Sequence, residues 1–278
     1  MTKQLEPCLI QYPAYCADLH TRVLQSPGSG PKVLCLHGLG ARADRWKTTL
    51  PALATQGYDA YAIDLPGHGF ATKGAQIPAS IPALADFVSK FCDAMGWIDL
   101  HLIGTSLGGH IAAYLALHHP KRFRSLVLVG SLGLIPIGPE VGQMIRNSVG
   151  QTSRERIASK IAMVFSNADA VGSEFLEEEF QINNSRGASE SFEVLGNYIA
   201  QGLDTHVVGP QLAQLEQRPA IMLVWGALDK VVPLAVGQQA KALLPGVELV
   251  EIVGAGHAPY MEQPAIFQNA VINFFADK

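Results

Sequence analysis

Ile103-Gly104-Thr105-Ser106-Leu107-Gly108-Gly109 decides the fold of this chain. The residues before it, Asp99-Leu100-His101-Leu102-Ile103, are short, apolar and alternating, which predicts a buried strand. The residues after it, Gly108 to His119, carry Ile111, Tyr114, Leu115 and His118 at helical spacing and stop at Pro120. Gly104, Ser106 and Gly108 therefore fall on a strand-to-helix turn, too tight for Cβ atoms on either side of the serine. Such a turn projects one hydroxyl. It also aims the backbone N–H groups that follow, at a helix N-terminus, toward the same point.

A hydroxyl is a poor nucleophile near neutral pH and needs a base, which in turn needs orienting. The chain offers a late acid and a late histidine, each just beyond a strand-like run. Ala220 to Trp225 is continuously apolar, and Gly226-Ala227-Leu228-Asp229 follows it before Val231-Val232-Pro233. Val247 to Val253 alternates, and Gly254-Ala255-Gly256-His257 follows that. Ser106, Asp229 and His257 are thus the candidate nucleophile, orienting acid and base.

Over nearly its whole length the chain resembles the α/β-hydrolase superfamily. The stretches that carry the resemblance are Leu36-His37-Gly38-Leu39-Gly40, Asp64-Leu65-Pro66-Gly67-His68-Gly69, Gly104 to Gly108, Trp225 to Pro233 and Gly256-His257. The resemblance implies an α/β-hydrolase fold: a mostly parallel eight-stranded sheet with helices on both faces and an inserted helical cap. The order Ser106, Asp229, His257 is that of the superfamily's triad. Leu39, after His37-Gly38, and Leu107 are the implied oxyanion-hole donors through their backbone N–H groups.

The same resemblance implies hydrolysis of a carboxylic ester, lactone or thioester through an acyl-enzyme, with no metal or organic cofactor. Some members carry the acid just past the sixth strand, but Gly130-Ser131-Leu132-Gly133 follows Ser125–Val129 and the nearest carboxylate is Glu140. That leaves Asp229. A serine rather than an aspartate at the turn argues against haloalkane dehalogenase and epoxide hydrolase chemistry. The meta-cleavage-product hydrolases, which split carbon–carbon bonds, are the second reading. They typically have Asn before the nucleophile and Trp after the histidine, where this chain has Thr105 and Ala258. A small-molecule receptor retaining the triad is a third reading, of another class.

Length and composition fit that frame. A chain of 278 residues suits one α/β domain with an insertion, and 48% apolar against 16% charged residues indicates a well-buried core. The net charge of −4 comes with no basic stripe, which argues against nucleic-acid binding. No apolar run approaches the roughly 20 residues that span a bilayer. The stretch Met1 to Pro7 has no apolar core of a secretory signal. A soluble, cytoplasmic protein acting on a small molecule is expected. Cys8, Cys16, Cys35 and Cys92 lack metal-ligand spacing, and Cys35 reads as a small core residue.

In chain order, Pro7–Tyr12, Asp18–Gln25, Lys32–His37 and Ala60–Asp64 read as strands, and Arg45–Gln56 and Ile81–Met95 as helices. His37 reads as a loop anchor. His68 reads chiefly as another, with a substrate contact as its functional alternative. Between the sixth and seventh strands four helical patterns appear and no strand: Glu140–Val149, Ser153–Phe165, Ser173–Ile182 and Ser189–Gln201. The expected division is a core of residues 1–134 and 206–278 and a cap of residues 135–205. Within the cap, Glu177-Glu178-Glu179 reads as a solvated face, and Arg154, Arg156 and Lys160 as an exposed one. Arg186 and Arg146 are then the remaining candidates to hold a substrate carboxylate, Arg186 from a polar break between two helices.

Overall fold

A computed structural model describes residues 8–278. The stretch Met1–Pro7, including the predicted start of the first strand, lies outside the described residues. Eight strands form one sheet: β1 (Ile10–Cys16), β2 (Leu19–Ser26), β3 (Lys32–Leu36), β4 (Asp59–Ile63), β5 (Leu100–Thr105), β6 (Phe123–Val129), β7 (Ala220–Gly226) and β8 (Glu248–Ile252). Their spatial order is β1-β2-β4-β3-β5-β6-β7-β8. The β1–β2 and β2–β4 pairs are antiparallel and every other pair is parallel. This is the mostly parallel eight-stranded sheet that the resemblance implies.

The central strands are largely apolar on both faces because both faces are covered, with His101 and Ser125 pairing with each other at 2.8 Å inside the sheet. Leu34 and Leu36 of β3 enter one core, while Val33 and Cys35, their alternates, enter the other. Leu126 and Leu128 of β6 likewise oppose Val127 and Val129. The first core is closed by α2 (Ile81–Ala94), α3 (Leu107–His118), α8 (Gly209–Gln214) and α9 (Leu234–Leu243). The second is closed by α1 (Thr49–Thr55), the short α10 (Pro259–Glu262) and α11 (Pro264–Ala276).

One predicted helix divides. In place of Arg45–Gln56 the chain makes a 3-10 turn over Ala43–Trp46 and begins α1 at Thr49. Pro51 accounts for this: its ring cannot donate to, and would clash with, the carbonyl four residues earlier, so it must sit in a helix's first turn. Trp46, Leu50 and Leu53 are buried all the same.

Between β6 and β7 the chain forms α4 (Pro139–Val149), α5 (Arg154–Val164), α6 (Gly172–Asn183) and α7 (Ala188–Gly202), with no strand. Ser153 caps α5 by accepting from Arg156 N, as its position before the periodic run demands. Two charge readings are corrected here. Glu179 is not on a solvated face: its side chain, 5% exposed, pairs with Arg42 and, at 3.2 Å, with Arg45. Arg42 also pairs with Glu178, and Arg45 stacks its guanidinium 4.3 Å from the Phe175 ring centroid. Two cations presented after β3 draw Glu179 inward, while Glu177 and Glu178 stay exposed. Lys160 is half-buried and donates to the Val149 and Gln151 carbonyls at 3.1 and 2.7 Å, at the C-terminal end of α4, and burial pushes it down to about 8.

Glu179→Ala is expected to cost about 3 kcal/mol by denaturant unfolding, because it leaves the nearly buried Arg45 guanidinium without its carboxylate and removes one of the carboxylates on Arg42, which keeps Asp44 and Glu178. Glu177→Ala, which removes an exposed partner of Arg154, is expected to cost much less. Equal costs for the two would contradict this account of the contact.

Candidate active site

Ser106 follows β5, before α3, in a conformation that few side chains tolerate, φ 54° and ψ −117°. The turn holds because its neighbours have no side chains. A Cβ on Gly104 would lie 2.3 Å from the Gly108 carbonyl oxygen, and one on Gly108 would lie 2.5 Å from the Leu36 and His37 oxygens. Backbone bonds fix the serine against the next strand: Ser106 N donates to Val129 O at 3.0 Å, and Leu132 N donates to Ser106 O at 3.2 Å. The Gly38 backbone packs on it from the other side, its Cβ direction ending 3.1 Å from Ser106 Cβ. The loop carrying Leu39 is therefore beside the hydroxyl. Leu107, the first residue of α3, has an N–H with no partner inside the helix.

Asp229 follows β7. Its Oδ1 accepts from Val231 N and Val232 N at 2.8 Å each, and its Oδ2 lies 2.7 Å from His257 Nδ1. A carboxylate oxygen can only accept, so Nδ1 carries a proton, and the neutral tautomer this selects has its lone pair at Nε2. His257 follows β8, and its backbone N–H donates to Val164 O at 2.7 Å. Gly130, just past β6, supports the pair in a way its sequence position alone does not signal. A Cβ there would press to 3.0 Å from His257 Cε1 and 3.1 Å from Asp229 Oδ2. Its φ of 48° could have flagged it only once the conformation was known.

The structure brings Asp229 and His257 together. Ser106 Oγ makes no hydrogen bond among the described residues, to His257 or to any other group. All three side chains are almost enclosed: Ser106 and Asp229 are 8% exposed and His257 7%. Among the described residues no cluster of three His, Cys, Asp or Glu is placed to hold a metal ion.

The remaining candidates fall elsewhere. His37 donates from Nδ1 to Gly38 O at 2.8 Å and accepts at Nε2 from Leu65 N at 2.9 Å, so both ring nitrogens serve the loop. His68 donates from Nδ1 to Pro66 O at 3.0 Å and packs edge-on against His37 and Phe192, which makes it a buried loop anchor rather than a residue exposed to a substrate. Arg186 is exposed, because Ser191 Oγ fastens the turn into α7 to Gly74 N and leaves the arginine on the outside. Arg146 is also exposed and donates to Asn197 Oδ1 at 2.6 Å, holding α4 to α7. Neither is placed as the expected carboxylate anchor.

Burial holds four imidazoles neutral: His37, His101 and His110 are pushed down to about 4 and His68 to about 3. Unfolded, they take up protons below about pH 6.5. Across the interval the unfolded chain binds more protons, so stability rises with pH. Their contribution is complete above about pH 6.5 and is lost as pH falls toward 4. The melting temperature is expected to fall steadily over that window; a rise on acidification would contradict the assignment.

Residues 31–264 match the family model described as alpha/beta hydrolase fold. The chain is 30% identical over 256 residues to the dihydrolipoyllysine-residue acetyltransferase component of the acetoin cleaving system of Cupriavidus necator, covering 91% of this chain and 66% of that protein. It thus spans just under two-thirds of that relative's length. It is 28% identical over 266 residues to the pimeloyl-[acyl-carrier protein] methyl ester esterase of Aeromonas hydrophila, covering 89% of this chain and 96% of that one. The solved meta-cleavage product hydrolase of Pseudomonas fluorescens superposes with a TM-score of 0.84 at 24% identity, covering 96% of this chain and 97% of that one, a likeness of fold.

Proposed function

The chain belongs to the alpha/beta hydrolase fold family, a family of hydrolases, and from that premise we propose that it cleaves a carboxylic ester through an acyl-enzyme on Ser106. The observation that carries this reading is the His257–Asp229 pair, 2.7 Å apart, which selects the tautomer whose lone pair is at Nε2. His257 takes the proton of Ser106 as the hydroxyl attacks the acyl carbon. Asp229 holds the tautomer and stabilises the imidazolium that forms. The N–H groups of Leu39 and Leu107 receive the developing oxyanion, a contribution of roughly 3–4 kcal/mol per donor in comparable sites. His257 then protonates the leaving alcohol, and in the second half-reaction it activates water.

Residues 135–205 act as the cap over this site and set the choice of acyl group. The cationic side chains around it are paired or exposed: Arg42 and Arg45 meet Glu179, Arg154 meets Glu177, and Lys160 serves backbone carbonyls. That supports an uncharged, largely apolar acyl group. The pimeloyl methyl ester esterase relative is consistent with ester cleavage as the class of reaction.

Steady-state assays with p-nitrophenyl esters, lactones, thioesters and dienoate ketones test the reading. Multiple turnover on an ester, faster than on the ketones, is expected. Preference for the ketones would transfer the protein to carbon–carbon hydrolysis, and a single turnover per chain would make it a receptor.

A further inference from the structure

Five residues after His257 comes Glu262, a carboxylate whose two oxygens serve different parts of the chain. Oε1 accepts from Gly256 N at 2.8 Å and, at a longer 3.4 Å, from Ala258 N, the two amides that flank the histidine. Oε2 accepts from Ser166 N at 2.7 Å and lies 2.6 Å from Ser166 Oγ. Ser166 belongs to the segment that leaves α5, on the far side of the chain from the histidine loop in sequence. Its hydroxyl is also 2.8 Å from Gly254 O, a second acceptor on that loop.

The residues around Ser166 serve the same junction. Val164 O accepts the His257 backbone N–H at 2.7 Å. Phe165, 3% exposed, enters the core that contains Ala258 and Tyr260. The approach is so close that residue 256 has no room for a side chain: a Cβ there would meet Val164 O at 2.7 Å and Ser166 N at 2.9 Å. Three consecutive residues of the helical insertion are therefore committed to the backbone on which the imidazole is mounted.

We propose that Glu262 is a positioning residue for His257, and that Val164–Ser166 form part of the mount that sets the imidazole's place relative to Ser106. The proposal rests on the reading of His257 as the base. The insertion is then more than a cover. Seating it completes the base, so a displaced insertion leaves the serine without a correctly aimed proton acceptor. Charge is needed as well as shape. Both oxygens of the carboxylate accept, whereas an amide in the same place would turn an NH2 group toward either the histidine-loop amides or the Ser166 amide. A shift of the base by about 1 Å is enough to cost about 100-fold in rate.

Glu262→Gln and Ser166→Ala, assayed with p-nitrophenyl butyrate and with a fluorophosphonate that reacts at an activated serine, test this. Glu262→Gln is expected to lower kcat and the phosphonylation rate about 10- to 100-fold with KM unchanged, and Ser166→Ala to lower the same two quantities less. A folded Glu262→Gln protein with wild-type kcat would overturn the proposal. So would a raised KM with kcat preserved, which is the signature of a cover alone. Should Glu262→Gln fail to fold, Ser166→Ala decides by the same split. His257→Ala in the same assays separates the two readings: its full activity would remove the base itself, whereas its inactivity beside an unaffected Glu262→Gln would remove only the mount.

Discussion

Replacing Ser106 with alanine is expected to lower kcat on any ester substrate by about 10,000-fold or more, leaving binding nearly unchanged. The change removes one oxygen from a side chain that is 8% exposed and makes no hydrogen bond among the described residues. Folding should therefore not suffer. The serine's backbone is held in a strained conformation at φ 54°, a cost of about 1–3 kcal/mol that contributes nothing to the packing around it. Alanine must adopt the same conformation, so the melting temperature should stay close to that of the parent. His257→Ala should match Ser106→Ala in rate, and the double variant should be no slower than either, because the two act as one unit. Additive losses would mean that they act separately, and the serine mechanism would fail.

Asp229→Asn is expected to be nearly as damaging, about 10,000-fold in kcat, for a reason set by two backbone amides. Val231 N and Val232 N both donate to Oδ1 at 2.8 Å, so an asparagine must keep its carbonyl oxygen there. Its NH2 group then occupies the place of Oδ2, 2.7 Å from His257 Nδ1. Two donors cannot face each other, so Nδ1 becomes the acceptor and the proton moves to Nε2. That tautomer cannot take a proton from Ser106. Asp229→Ala leaves the ring free to choose its tautomer, so it should lose less activity than Asp229→Asn. Measuring kcat for the two variants under identical conditions checks the ordering, and an asparagine variant more active than the alanine one would contradict it.

Much of this arrangement is legible in the chain because it depends on local pattern. The strand, turn and helix around Ser106 follow from alternation, paired glycines and helical spacing. The loops carrying Asp229 and His257 follow from the apolar runs before them. The four helices α4 to α7 after β6 follow from periodicity and the absence of any strand-like run.

What escaped the reading is decided by residues distant in sequence. Glu179 lies in an acidic triplet that suits water, and only Arg42 and Arg45, brought up from the loop after β3, make its burial tolerable. Arg186 sits in a polar break of the kind that often reaches toward a site, yet Ser191 ties that turn to Gly74 and leaves it outside. Asp64 reads as part of a turn, but its carboxylate accepts from Ala43 N at 2.7 Å and Phe70 N at 2.9 Å and pairs with Arg22. Glu262 carries no periodic signal, because its partners are backbone amides that meet only when α5 is seated. The divided helix at Trp46 is different. Pro51 announced it, and the apolar spacing concealed it.

The central claim is that Ser106 carries the acyl group. Mixing the protein with p-nitrophenyl butyrate, quenching within one turnover and measuring the intact mass tests it most directly. The account predicts a burst of nitrophenol close to one per chain, an adduct of one butyryl group, and peptide mapping that places it on Ser106. A burst with the label on another residue, or turnover with no adduct in wild type and full activity in Ser106→Ala, would contradict it.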